Sequence, residues 1–144
     1  MFESTTIVAF DQHAASVVAA VLAPDQRTAS LHPLASDLAT IGRFIDRLKR
    51  GGAIRCCYEA GPCGLELQRF LAARDIPCDV IAPGLIPRRP GHRIKTDRRD
   101  AGQLALLYRA GALTAINIPT EHEEAARDLL RCREDTCADL LRAR

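Results

Sequence analysis

The chain is short of several things that would have assigned it quickly. No apolar run approaches the roughly 20 residues that a membrane-spanning helix requires. The longest stretch without Asp, Glu, Lys or Arg is Gln12 to Pro24. The start carries Glu3 and no basic segment, so nothing resembles a secretory leader, and the expected location is cytoplasmic. Net charge is small, +2 from 20 basic and 18 acidic residues, which excludes a polybasic nucleic-acid tail and confines any basic surface to one locality. No internal repeat and no low-complexity segment occurs. The six cysteines, Cys56, Cys57, Cys63, Cys78, Cys132 and Cys137, form no CxxC pair and have no ligand-spaced His. They are expected to be reduced and mostly buried thiols, which leaves little ground for zinc.

What is present is one domain's worth of globular sequence: 144 residues, 47% hydrophobic and 26% charged. Residues 5–34 read as three strands. TTIVAF and SVVAAVLAP are apolar and β-branched, RTASLHPL alternates weakly as an edge strand, and no helical pattern separates them. An antiparallel meander follows from that order. Ser36 or Asp37 then caps a helix whose Leu38, Ile41, Ile45 and Leu48 recur at helical spacing, with Gly51 as its stop. AIRCCYEA is a short buried strand. GPCG breaks it, and Pro62 is expected in the first turn of a helix bearing Leu67, Phe70 and Leu71. IPCDVIAP is a further strand, residues 83–95 a Pro- and Arg-rich loop, and Thr96 to Ala110 a helix stopped by Gly111. The order β-β-β-α-β-α-β-α predicts an α/β fold with a mixed sheet and helices on its faces. It is the order of the RNase H-like fold, although other α/β folds could accommodate it.

Residues 121–144 differ, with seven acidic and five basic residues and neither Gly nor Pro. Leu129, Leu130, Cys137, Leu140 and Leu141 make a partial apolar stripe that Arg133 interrupts. A solvated helix and the first part of a coiled coil or helical arm both fit. The expected division is a domain over 1–118 and the start of an arm over 119–144. The chain stops in mid-helix, as a truncated piece of a longer protein would.

Four carboxylates stand out by context. Asp11 ends the run IVAF and Glu59 ends CCY, both at strand ends where an α/β sheet commonly builds its site. Asp97 and Asp100 open the last α/β helix. At 100° per residue they share a stripe with Ala101, Leu104 and Tyr108, the side expected to face the core, while Arg99, Gln103 and Leu106 lie opposite. Taken singly, Asp11 fits a turn, Glu59 a strand-end charge, and the Asp pair a cap and a first-turn acid. Taken together, four acids in one pocket repel one another and call for protons or cations, and an oxygen-only set suits Mg²⁺ or Mn²⁺. Residues 85–100 supply the opposite charge. Arg88, Arg89, Arg93, Lys95, Arg98 and Arg99 against two acids leave +4 there, and −2 over the remainder. A phosphate-backbone substrate satisfies both features. Only Tyr58 and Tyr108 flank the pocket as aromatics, too few for base stacking to be the main mode of binding.

The strings FDQH, YEAGPCG and KTDRRDA resemble the DEDD transposases of bacterial insertion sequences, and more narrowly the family numbered one-ten, over about residues 5–140. The resemblance implies a RuvC-like, RNase H-type domain whose acidic tetrad, here Asp11, Glu59, Asp97 and Asp100, binds Mg²⁺ or Mn²⁺ and catalyses DNA strand cleavage and transfer. It also implies a guide RNA from the element, backbone contacts by the basic residues of 88–99, and homo-oligomers built through a helical arm. Members of this family are longer and carry a second domain with a nucleophilic Ser. Nothing here matches that domain, since Ser4, Ser16, Ser30 and Ser36 all lie near the start. Two other classes remain open: a self-sufficient metal-dependent junction or RNA nuclease, and a non-catalytic nucleic-acid-binding or assembly module. An actin-like phosphotransferase fits poorly, because DQHAAS has no glycine where backbone would approach phosphate.

Overall fold

A computed structural model describes residues 4–13, 15–87 and 97–143, with backbone alone at 97–100. Five strands form one sheet in the order β3-β2-β1-β4-β5. The strands are β1 (Thr6–Gln12), β2 (Ser16–Leu22), β3 (Ser30–Ala35), β4 (Ile54–Glu59) and β5 (Cys78–Ile81). β1 pairs antiparallel with β2, and β2 with β3, which makes the expected meander. β1 pairs parallel with β4, and β4 with β5, so the second half is wound through helices. This is the mixed sheet of an RNase H-like α/β fold.

β1 is central, and both of its faces are covered, so Ile7 to Phe10 are all buried. One face holds Val8, Phe10, Cys56, Tyr58 and Val80 against α1 (Leu38–Lys49) and α2 (Glu66–Ala72). The other holds Ile7, Ala9, Ala20 and Cys57 against Ala101, Leu104, Ala105 and Tyr108 of α3 (Asp97–Arg109). The part of the expected α3 stripe formed by Ala101, Leu104 and Tyr108 is buried, with Leu106 exposed on the far side.

Local signals account for most boundaries. Asp37 caps α1, its Oδ1 accepting from the Thr40 N–H at 2.7 Å. α3 closes as Gly111 takes φ +69° and Ala112 N–H donates back to Leu107 O. One boundary differs from expectation. Pro62 lies in a turn ahead of α2, because Gly64 at φ +69° cannot sit inside a right-handed helix, and the Tyr58 hydroxyl donates to its carbonyl at 3.0 Å. Residues 112–118 return along β5, with Ile116 N–H donating to Val80 O and Ala82 N–H to Thr114 O. They cover that edge of the sheet. Pro33 lies in β3, an edge strand, where a missing N–H costs nothing in the ladder.

The tail forms α4 (Glu121–Arg142), begun by a reciprocal cap. Glu123 N–H donates to Thr120 Oγ1, and Thr120 N–H to Glu123 Oε2. Those bonds to its ionised form hold the Glu123 carboxyl below its usual range. Arg69 of α2 pairs with Glu124 at 2.6 Å and ties the base of α4 to the domain, while Leu129, Leu130, Leu140 and Leu141 stay exposed. All six cysteines are free thiols. Cys56, Cys57 and Cys78 are buried as expected. Cys63, in a turn, and Cys132 and Cys137, on α4, are exposed, because neither element has a layer packed over it. No helix among the described residues is long and apolar enough to cross a membrane.

Candidate active site at the C-terminal ends of β1 and β4

Asp11 is not a turn residue. It lies in β1, paired with Val18, and Val18 packs against the α3 side. Side chains alternate along a strand, so Asp11 shares the face of Ile7 and Ala9. Glu59 ends β4 and shares the face of Cys57. The parallel register runs Thr6↔Ile54 through Phe10↔Tyr58. Continuing it by one residue sets Asp11 beside Glu59 on adjacent strands, about 4.8 Å apart in backbone spacing. Two carboxylates thus sit side by side at one end of the sheet, on the α3 face.

The direction of α3 decides what joins them. Its C-terminal residues lie at the opposite end of the sheet. Arg109 donates to the carbonyls of Ala23 and Gln26 in the β2–β3 turn, and Tyr108 bonds to Asp79 and Arg55 near the starts of β5 and β4. α3 therefore runs antiparallel to β1 and β4, and its first turn, Asp97 to Asp100, comes back to the end where Asp11 and Glu59 lie. From Asp97 to Tyr108 the helix rises about 16 Å, enough to span β4 from Arg55 to Glu59 at about 13 Å. The side chains of Asp97, Arg98, Arg99 and Asp100 lie outside the described residues, as do Arg88, Arg89, Arg93 and Lys95 entirely.

Around this end, the loop after β4 is anchored from the other face. Tyr58, 1% exposed, points into the α1/α2 core, and its hydroxyl holds the 61–64 turn. Burial raises its pKa well above the usual tyrosine value, so it serves as a neutral anchor. Ala60 N–H donates to Ile81 O and extends the β4–β5 ladder past Glu59. His13 is the neighbour that sequence spacing brings in. Its Nε2 lies 3.4 Å from Asp11 Oδ2, an ion pair when the ring is protonated. The signal for it is the Asp-x-His spacing, which sets the imidazole two residues on from Asp11, just past the end of β1.

The donors gathered here are carboxylate oxygens, half-buried at Asp11 and exposed at Glu59. Such a set fits a hard divalent cation such as Mg²⁺ or Mn²⁺ and does not suit a thiol- or imidazole-preferring one. Among the described residues, no group of three or more His, Cys, Asp or Glu is placed to hold a metal.

Comparison with known proteins agrees with this architecture. The IS110-type DEDD transposase family, described as transposase, matches residues 8–144. A transposase-named protein of Sinorhizobium fredii, y4qE, is 57% identical over 77 residues, covering 54% of this chain and 20% of that protein. The transposase for insertion sequence element IS1533 of Leptospira borgpetersenii is 44% identical over 106 residues, 72% of this chain and 31% of that protein. The chain thus spans about a fifth to a third of the curated relatives it matches. With a match over nearly its whole length, on a sheet that brings two acids together at its C-terminal end, the chain belongs to the IS110-type DEDD transposase family.

Proposed function

We propose that this chain is the acidic-site portion of a DNA transposase, in which Asp11, Glu59, Asp97 and Asp100 hold Mg²⁺ or Mn²⁺ for cleavage and transfer of DNA strands. The observation that carries the reading is the register that sets Asp11 beside Glu59 at the end to which α3 returns its first turn. Bound there, the cation supplies Lewis-acid polarisation of a phosphodiester and neutralises charge on its oxygens. The chain's own residues do the rest. Asp11 and Glu59 are fixed by the most buried strands of the sheet, so their separation is set before any ligand arrives. His13 braces Asp11. Arg88, Arg89, Arg93, Lys95, Arg98 and Arg99 grip phosphate oxygens, which positions the backbone and reads no bases. The attacking hydroxyl belongs to a Ser outside these 144 residues, and its attack on phosphorus displaces a deoxyribose oxygen. A guide RNA chooses the DNA sites by pairing, and α4 begins the arm through which copies associate.

Calorimetric titration with Mg²⁺ and Mn²⁺ tests the ligand set. Wild type takes up metal, and Asp11→Asn or Asp97→Asn reduces affinity at least tenfold, while circular dichroism shows both variants folded. Equal uptake by wild type and variants would sink the assignment. Cleavage of branched DNA by this chain alone would replace it with a nuclease that uses water.

A further inference from the structure

On the opposite face of the sheet from Asp11 and Glu59, an open groove of about 400 Å³ lies between α1 and the edge strand β3. Leu34, Thr40, Arg43, Asp46, Arg47 and Arg50 line it. We infer that this groove docks the phosphate backbone of double-stranded DNA, on the face of the sheet opposite the carboxylate end.

The charge is arranged for that ligand. Arg43, Arg47 and Arg50 are exposed and fall at i, i+4 and i+7, one stripe of α1. They span about 10 Å along the helix, a reach over which a duplex carrying one charge per about 1.7 Å of its axis presents several phosphates. The acids nearby are committed elsewhere. Asp46 pairs with Arg74 at 2.6 Å, and Asp37 accepts the Thr40 N–H as the helix cap, with Arg43 nearby adding to its lowered pKa. The arginines are oriented largely by neutral groups. Arg43 donates to Thr40 Oγ1 at 2.9 Å, and the Arg47 guanidinium lies 5.8 Å from the centroid of the Phe44 ring, which leans in turn on His32. The guanidinium of Arg50 enters no hydrogen bond or ion pair among the described residues. Two held guanidiniums and a third left open to a ligand, all beside one groove, make a phosphate-binding surface.

A duplex fits better than a single strand. Phe44 is only 6% exposed, so its ring offers no platform for an unpaired base, and single-strand sites depend on such platforms. DNA is the duplex that a transposase-family chain meets. To that extent the inference rests on the proposed function, but it does not depend on the metal ligands.

Fluorescence anisotropy of a labelled 30-base-pair DNA of arbitrary sequence, titrated with the full chain at 50–200 mM salt, tests it. Arg43→Gln/Arg47→Gln/Arg50→Gln lowers the slope of log affinity against log salt by about 2.7, so the loss of affinity across that range is about 40-fold shallower than in wild type. The corresponding triple Lys variant keeps the slope, because charge rather than shape carries the contact. The titration is run in EDTA with no divalent metal, which separates failure of this surface from failure of the metal site. If the Gln triple does not fold, Arg50→Gln alone lowers the slope by about 0.9. An unchanged slope, a loss confined to duplex RNA, or no binding by wild type at 50 mM salt would overturn the proposal.

Discussion

The α3 face of the sheet carries acids at both ends, and the two ends treat them differently. At the start of β5, Asp79 accepts the Tyr108 hydroxyl and an Arg55 N–H, so its charge is matched by a cation and a donor from two other elements. At the ends of β1 and β4, Asp11 and Glu59 stand side by side in register, with an imidazole as the described ion-pair partner of one of them. Residue type does not distinguish these acids, and neither does strand position. The difference lies in what the sheet sets beside each acid. Beside a guanidinium and a phenol, the carboxylate cements helix to sheet. Where two acids are set together, the excess negative charge is a binding potential that opposes folding slightly and favours an external cation.

Substitutions can break this contrast. The largest effect is expected from Asp79→Ala, which removes the carboxylate partner of Arg55 and the acceptor of Tyr108; urea unfolding should show a loss of about 2 kcal/mol, moderated by the pair's partial exposure. Tyr108→Phe removes the bond donated to Asp79 and the one accepted from Arg55, and should cost about 1.5 kcal/mol at neutral pH. It should also change the alkaline limb. Burial and the bond to Asp79 raise the Tyr108 pKa above its usual value near 10. The neutral phenol's contribution is therefore complete below pH 10 and disappears as pH rises beyond it. Phe has no such loss, so the variant's stability should fall less between pH 10 and 12. The smallest effect belongs to the other end. Asp11→Asn and Glu59→Gln should change metal-free unfolding by no more than about 0.5 kcal/mol, because each removes a like charge. A large destabilisation from either would mean that these acids serve the fold in the way Asp79 does.

Much of this was legible in the sequence, for physical reasons that vary by element. The strands announce themselves through apolar runs because β1 and its neighbours are covered on both faces. α3 announces its phase because Ala101, Leu104 and Tyr108 repeat at the helical period, and the burial observed follows that stripe. The placement of Asp11 and Glu59 at the ends of β1 and β4 followed from the apolar runs that each acid closes. The start of α2 was obscured because Pro62 is a strong helix-entry signal, while the left-handed backbone of Gly64 emerges only in the folded turn. The start of α4 is written in Thr120 and Glu123, three apart, a detail that the composition of the tail hides. The Arg55–Asp79–Tyr108 cluster could not be read at all. Its members come from three elements, and a lone charge in a strand looks the same whether it meets solvent or a partner.

The root of α4 has a mechanical consequence. A 22-residue helix is about 33 Å long, and this one is held at its first turn by a reciprocal cap and by the Arg69–Glu124 bridge. It behaves as a rigid spar on a small hinge plate. A tilt of 5° at the root sweeps the far tip through roughly 3 Å. The direction of the far tip is set by the four residues of that cap and bridge, Thr120, Glu123, Arg69 and Glu124.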